Sequence, residues 1–197
     1  MSDHYFSDRP GSEGRRHRVR FSAWGHDLEL VTADGVFAKD GLDRATRVLL
    51  EAIDPPQAGS TVLDLGCGWG PLACAVALAS PGSGVWAVDV NERALELMRE
   101  NASRLGVDVR AALPDDVPAD LRFDAIVSNP PIRIGKTALH ELLGQWLPRL
   151  AAGGRAHLVV GKNLGADSLQ RWLTGQGHPT ERVASARGFR VLEVERG

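Results

Sequence analysis

The stretch Val62-Leu63-Asp64-Leu65-Gly66-Cys67-Gly68-Trp69-Gly70-Pro71 leaves the chain few choices of fold. A short apolar run carrying one acid enters three glycines at alternate positions, and helix-forming residues follow at once. Glycines so placed let the backbone turn without a Cβ and let a ligand lie against main-chain atoms. A dinucleotide fingerprint wants its third glycine one position later, where this chain has Pro71. That mismatch argues against a nicotinamide enzyme. A strand that ends in such a turn and starts a helix opens a βα unit, and the downstream residues repeat the pattern.

Apolar runs predict strands at 61–65, 85–90, 107–113, 123–128 and 156–160. Between them lie a helix from Pro71, a favourable first helical residue, to Ala79, and one from the cap Asn91 to Gly106 with Ala94, Leu95, Met98, Ala102 and Leu105 on its apolar face. Leu139, Leu142, Leu143, Trp146, Leu147 and Leu150 keep helical spacing up to a stop at Gly153-Gly154, and residues 167–173 form a further helix. Strands at 181–186 and 189–195 are predicted to pair as a hairpin across Arg187-Gly188. Upstream, residues 1–18 form a polar arm, and alternation over 19–24 and 28–31 predicts an antiparallel pair turning around Gly25-His26-Asp27. Asp43 is placed to cap a helix carrying Ala45, Val48, Leu49, Ala52 and Ile53, which ends ahead of Pro55-Pro56.

The expected class is therefore α/β: a Rossmann-like, seven-stranded, mostly parallel sheet with helices on both faces. A C-terminal antiparallel hairpin and a short N-terminal β extension complete it. Residues 1–55 are expected to pack on the same domain as a core at 56–197. With 197 residues there is room for one such domain, and a net charge of −2 gives no global positive field, so any nucleic-acid surface must be local. The two cysteines, Cys67 and Cys74, make no disulfide framework. The polar start Met1-Ser2-Asp3-His4 is not a signal peptide, and no apolar run reaches the roughly 18 residues of a membrane span. A cytoplasmic protein without a membrane partner is the expectation.

Right-handed crossovers put the C-terminal ends of the parallel strands on one edge, where ligands bind. Four features fall there. The first is the glycine turn, with Asp64 near the end of its strand; the second is Asp89, followed by Val90. A carboxylate at Asp89 can accept both hydroxyls of a ribose, or it can serve as a turn residue ahead of Asn91. The third is Ala112-Leu113, where a flat base can lie, and the fourth is Ser128-Asn129-Pro130-Pro131-Ile132. Two consecutive prolines hold the backbone extended and remove donors, so carbonyls stay free to accept. The Asn129 side-chain oxygen and the Pro130 carbonyl then match the two hydrogens of an exocyclic –NH2; a plain strand-ending turn is the bland alternative.

At these residues the chain resembles class I S-adenosylmethionine-dependent methyltransferases of the amino-group type. Asp64-Leu65-Gly66-Cys67-Gly68-Trp69-Gly70 looks like their first motif, Asp89 like their ribose-binding acid, and Asn129-Pro130-Pro131-Ile132 like their Asn/Asp-Pro-Pro catalytic motif. A narrower resemblance is to the small-subunit ribosomal RNA guanine-N2 methyltransferases and their single-domain relatives. It rests on His4-Tyr5-Phe6-Ser7, Gly35-Val36-Phe37, Gly41-Leu42-Asp43 and Asn129-Pro130-Pro131-Ile132-Arg133-Ile134-Gly135-Lys136. The larger ribosomal enzymes carry a second, degenerate domain copy for which 197 residues leave no room. Where many relatives place an acid after the third strand, Leu113-Pro114 stand here, with Asp115-Asp116 beyond them; Ile132 replaces an aromatic residue of the commoner motif.

The resemblance implies S-adenosylmethionine as cofactor, S-adenosylhomocysteine as product and no metal. It places Asp64, Gly66, Cys67, Gly68, Gly70, Asp89, Val90, Ala112, Leu113 and Asn129 at the cofactor, and Asn129, Pro130, Pro131 and Ile132 at the reacting amine. The expected partner is RNA, ribosomal RNA or a ribosomal subunit, contacted by Arg133, Lys136 and a second basic patch at Arg15, Arg16 and Arg18. A protein glutamine amide, a small molecule or a non-catalytic cofactor- or RNA-binding module are the alternatives, and monomer and homodimer both stay open. Cys67 is read as a small packing residue rather than a nucleophile, His140 as a surface or capping residue rather than a general base, His157 as packed, and Trp24, Trp146 and Trp172 as core or interface aromatics.

Overall fold

The computed structural model describes residues 15–36, 41–131 and 134–197. It begins with a two-stranded antiparallel sheet, β1 (Arg16–Ala23) and β2 (His26–Ala33). The turn sits at Trp24-Gly25, slightly earlier than the alternation suggests, with Trp24 at a φ of 48°. Its indole N–H donates to the Ile53 carbonyl at 2.9 Å, which helps hold this left-handed residue in place.

Helix α1 (Arg44–Ala52) follows, and then the main sheet is built from β3 (Thr61–Leu65), β4 (Gly84–Val88), β5 (Val109–Ala112), β6 (Phe123–Ser128), β7 (Leu150–Gly161), β8 (Thr180–Ala186) and β9 (Phe189–Glu195). Helices α2 (Pro71–Ala79), α3 (Glu92–Leu105), α4 (Lys136–Trp146) and α5 (Ala166–Gly175) connect them. The strand order is β5-β4-β3-β6-β7-β9-β8, parallel from β5 to β7 and antiparallel at β9 and β8. The expected architecture is the observed one. The chain runs outward from β3 to β5 and then returns to pair β6 on the other side of β3. The loops after β3 and β6 therefore diverge and open a crevice at the sheet's centre.

Neighbouring residues of β3 feed opposite faces, as the strand period requires. Val62 packs with Leu49, Cys74 and Met98 under α1, α2 and α3, together with Leu28 and Leu30 of the N-terminal hairpin. Leu63 packs with Ile126, Leu143, Trp146, Leu158 and Leu173 under α4 and α5. Asn101, fully buried on α3, ties the hairpin to this body. Its amide accepts from Val31 N at 2.7 Å and donates to Val31 O at 2.8 Å and Trp69 O at 2.9 Å.

Several boundaries differ from the sequence pattern: β1 starts at Arg16, within the expected polar arm, and β4 ends at Val88, ahead of the expected 90. Helix α4 stops at Trp146 and Leu150 is the first residue of β7, opposite Phe123, rather than the end of a helix. Pro148 supplies no N–H to extend the α-helix, and a single 3₁₀ turn over Leu147–Arg149 ends it. Gly153-Gly154 then lies inside β7 as an irregularity: the register moves from Phe123↔Leu150 to Ala125↔Arg155. Gly153 has a φ of 76°, and a Cβ on Gly154 would stand 2.8 Å from the Phe123 carbonyl. The third parallel strand is also shorter than predicted, Val109–Ala112, because Gly106 closes α3 in a left-handed cap before it.

Candidate active site

The turn after β3 is held by the neighbouring strand. Gly66 N and Cys67 N both donate to Val88 O, at 2.8 and 3.0 Å. Gly66, Gly68 and Gly70 all have positive φ, 74°, 54° and 89°. At Gly70 the need for glycine is double, since a Cβ would lie 2.5 Å from Met98 Cγ of α3. This residue is the N-cap of α2, and Pro71 starts the helix as predicted.

Behind the turn, Asp64 is almost fully buried. Its Oδ2 accepts from Ala73 N at 2.9 Å, whereas Oδ1 is buried with no hydrogen-bond partner. Burial pushes its carboxyl up to about 8; the Ala73 N–H opposes the shift and the nearby Asp89 carboxylate adds to it. A cation brought against Oδ1 would favour the ionised form of such an acid.

Asp89 does two local jobs. Its Oδ2 accepts from Gly68 N and its Oδ1 from Asn91 N, both at 2.9 Å, so it latches the glycine turn and closes the bend before α3. The turn role and the ligand role are compatible, because a carboxylate offers about four acceptor directions and two are taken here. Asn91, not Asp89, caps α3. Val90 is 62% exposed beside it, and Ala112 O receives the Asp89 N–H at 3.4 Å, which aligns the ends of β4 and β5. Leu113 is half-buried at this edge, while Asp115 and Asp116 are exposed in a single 3₁₀ turn.

The end of β6 meets the end of β3 directly. Ser128 is buried and its hydroxyl donates to Leu65 O at 2.7 Å. A Cβ on Gly66 would stand 3.7 Å from Pro131 Cδ, so the glycine turn and the Pro-Pro segment are neighbours with room for about one methyl group between them. Asn129 turns its amide nitrogen toward α1, donating to Asp43 Oδ1 at 2.8 Å and Thr46 Oγ1 at 3.0 Å. Asp43 also caps α1 as predicted, accepting from Ala45 N and Thr46 N. Its contact with Asn129 goes beyond what the sequence pattern indicates, and so does the part played by Thr46.

Asp43, Thr46, Asp64, Gly66, Gly68 and Asn129 thus share one cleft at the switch point. Its enclosed part measures about 40 Å³. That is room for a compact charged group or a few waters but not for an adenosine, for which the open edge toward Asp89 is left.

Ile132 and Arg133 lie outside the described residues. Lys136 is exposed at the first turn of α4. Arg15, Arg16 and Arg18 are not in the cleft. Arg16 pairs with Glu100 of α3 at 2.5 Å, and Arg18 shares Glu29 with Arg20 across the hairpin. The thiols of Cys67 and Cys74 are buried and free, and burial pushes Cys74 up to about 12 and Cys67 well above the usual thiol range, so neither is a ready nucleophile. His140 stacks on Trp172 with ring centroids 3.7 Å apart, and His157 pairs with Glu193 at 2.9 Å. Trp146 is fully buried in the core.

Comparison with known proteins agrees with this fold. The family model described as "Methyltransferase small domain" matches residues 27–193. YbxB of Bacillus subtilis, an uncharacterised protein, is 30% identical over the full length of both chains. Ribosomal RNA small subunit methyltransferase C of Serratia proteamaculans is 37% identical over 68% of this chain and 40% of its own. Among solved structures, a T. thermophilus 16S rRNA N2-guanine methyltransferase in complex with S-adenosylmethionine and guanosine superposes with a TM-score of 0.78 at 22% identity, covering 97% of this chain and 53% of that one. The chain therefore spans about half or less of those two ribosomal enzymes. Among the described residues no helix is long and apolar enough to cross a membrane.

Proposed function

Because this chain belongs to the methyltransferase small domain family, we propose that it transfers a methyl group from S-adenosylmethionine to an exocyclic amino group, guanine N2 of ribosomal RNA. The observation that carries the reading is the meeting of two motifs. The glycine turn after β3 and Asn129 after β6 line one cleft, which holds the unpartnered, buried Asp64 oxygen on one side and Asn129 on the other.

The residues present fit the cofactor. Asp64 Oδ1 can take a cationic partner, and S-adenosylmethionine carries an ammonium and a sulfonium. The glycines leave the main chain open, and Asp89 keeps acceptor directions for ribose hydroxyls beyond those taken by Gly68 and Asn91. Val90, Ala112 and Leu113 offer the edge along which an adenine would lie. When bound, the cofactor supplies a methyl already activated as an electrophile. What the chain must do is orient the amine and exclude water.

A ring-conjugated amine is a poor nucleophile, because its lone pair is delocalised. Asn129 Oδ1 and the Pro130 carbonyl can accept one N–H each, which favours a pyramidal nitrogen and stabilises positive charge as it develops. Ile132 and Pro131 would border the base, and Arg133 and Lys136 would meet phosphates around it. Small- and large-subunit ribosomal RNA methyltransferases among the relatives support RNA as the acceptor.

Labelled-methyl transfer onto small subunits from a strain lacking this protein, followed by nucleoside mass spectrometry, tests the proposal. N2-methylguanosine is the expected product. Asn129→Ala should cut turnover roughly 10²-fold or more, in line with the loss of a transition-state hydrogen bond, with cofactor affinity nearly unchanged. Label on protein instead of RNA would move the acceptor to a glutamine amide, and cofactor binding without any transfer would overturn the enzymatic reading.

A further inference from the structure

We propose that Asp43 is a positioning residue for the acceptor half of this site: its carboxylate fixes the Asn129 amide with nitrogen turned away and oxygen facing the incoming amine. The inference rests on Asn129 acting as the amine's acceptor. A side-chain amide has two ends of the same shape, and a half-turn about its last bond exchanges them. With the nitrogen toward the cleft, Asn129 would present donors to a donor and repel the substrate.

Nothing in the Asn-Pro-Pro segment itself makes this choice; Asp43, 86 residues away in sequence, does. Its Oδ1 collects three N–H groups, from Ala45 at 2.9 Å, Thr46 at 3.2 Å and Asn129 Nδ2 at 2.8 Å. An ionised carboxylate only accepts, so the end of the amide that faces it must be nitrogen. Thr46 Oγ1, 3.0 Å from the same Nδ2, engages that nitrogen a second time. Both amide hydrogens are then held by the α1 wall of the cleft, and the oxygen is the end of the amide left free to accept. A charge-assisted bond at the nitrogen also draws electron density onto the oxygen and strengthens it as an acceptor. The first N–H groups of α1 anchor the carboxylate in turn, so the helix cap and the acceptor geometry are one structure. An aspartate at 129 would instead set two carboxylates in contact.

Two substitutions separate positioning from capping. Asn and Ser cap a helix about as well as Asp. Asp43→Asn keeps an oxygen where the carboxylate was, whereas the hydroxyl introduced by Asp43→Ser is one atom shorter and cannot span to Asn129. A purely structural cap would tolerate both equally.

The readout needs no RNA: calorimetric affinity for sinefungin, which carries an amine where the cofactor carries its methyl, divided by that for S-adenosylhomocysteine. Asp43→Ser should lower this ratio about tenfold, the equivalent of one such hydrogen bond, while Asp43→Asn stays within about threefold of wild type and both keep similar melting temperatures. In an Asn129→Ala background Asp43→Ser should have no further effect, since the two act as a unit. An unchanged ratio in Asp43→Ser, or an equal fall in the Asn129→Ala background, overturns the proposal. Failure of methyl transfer to ribosomal RNA would sink the RNA reading and leave this ratio, and what it says of Asp43, intact.

Discussion

Asp64 gives the sharpest handle on the cofactor site, because its buried carboxyl sits at about 8 in the ligand-free chain. Its cause is removal from water, only partly offset by the single Ala73 N–H. A cation brought against Oδ1 favours the ionised form and must expel the proton first. At pH 6 the group lies about two units below its titration point, so about one molecule in a hundred is ionised. At about 1.36 kcal/mol per unit, binding there should be weaker by roughly 2.7 kcal/mol than above pH 8. The apparent Kd for S-adenosylhomocysteine should therefore tighten nearly tenfold per unit from pH 5 to 7, where the ligand's ammonium stays charged. Calorimetry in two buffers of different ionisation enthalpy should show close to one proton released per ligand. The ligand-free chain should behave in the opposite sense. The folded-state value is raised above the usual carboxylate value, so the native state holds a proton that the unfolded chain has lost. The stability it contributes is complete at acid pH and falls as pH rises from about 4 to about 8. Asp64→Asn should abolish both slopes. A flat Kd in wild type, or the same slope in Asp64→Asn, would refute the assignment of the unpartnered oxygen to a cation.

Two further substitutions probe what holds the site. Asn101→Ala would leave Val31 N and Val31 O without the amide in a buried place and remove one partner of Trp69 O. A loss of about 3 kcal/mol and a melting temperature lower by roughly 10 °C are expected, read by calorimetry; a change under about 1 kcal/mol would mean that water replaces the amide. Replacing Arg15, Arg16 and Arg18 together by Ala removes only exposed pairs, so stability should barely move. If these residues meet phosphates, RNA affinity should weaken and its dependence on salt flatten, whereas unchanged binding in a salt titration removes the hairpin from the RNA surface.

Much of this architecture is written locally. Residues 61–65, 71–79 and 123–128 have the predicted bounds in the structure, since a continuous apolar run, a proline after glycine and an aromatic-aliphatic strand each specify their element without outside help. Gly153-Gly154 misleads because its reason is tertiary: the bulge exists to fit β7 against the Phe123 and Asp124 carbonyls. Asn101 was legible in principle. It falls on the same helical face as Met98 and Ala102, and an amide on an apolar stripe signals a buried polar tie. The Asp43–Asn129 contact could not be read from spacing, because Asp43 is already fully explained as a cap and its second partner lies on another element.

The division of the site follows from the topology. The C-terminal ends of β3, β4 and β5 present Asp64, Asp89 and Ala112 on one side of the switch point, while the residue after β6 and the cap of α1 present Asn129 and Asp43 on the other. Methyl transfer is sensitive to the distance between electrophile and amine, so the two halves must be fixed to each other and not only to their ligands. Here that spacing depends on main-chain and small-side-chain contacts: Ser128 Oγ to Leu65 O and the pairing of Leu63 with Ile126. None of these contacts involves an atom proposed to touch the reacting groups. Changes at Asp64 should therefore alter cofactor binding, and changes at Asn129 turnover, without moving the halves apart, whereas a side chain at Gly66, whose φ is 74°, would strain the turn itself.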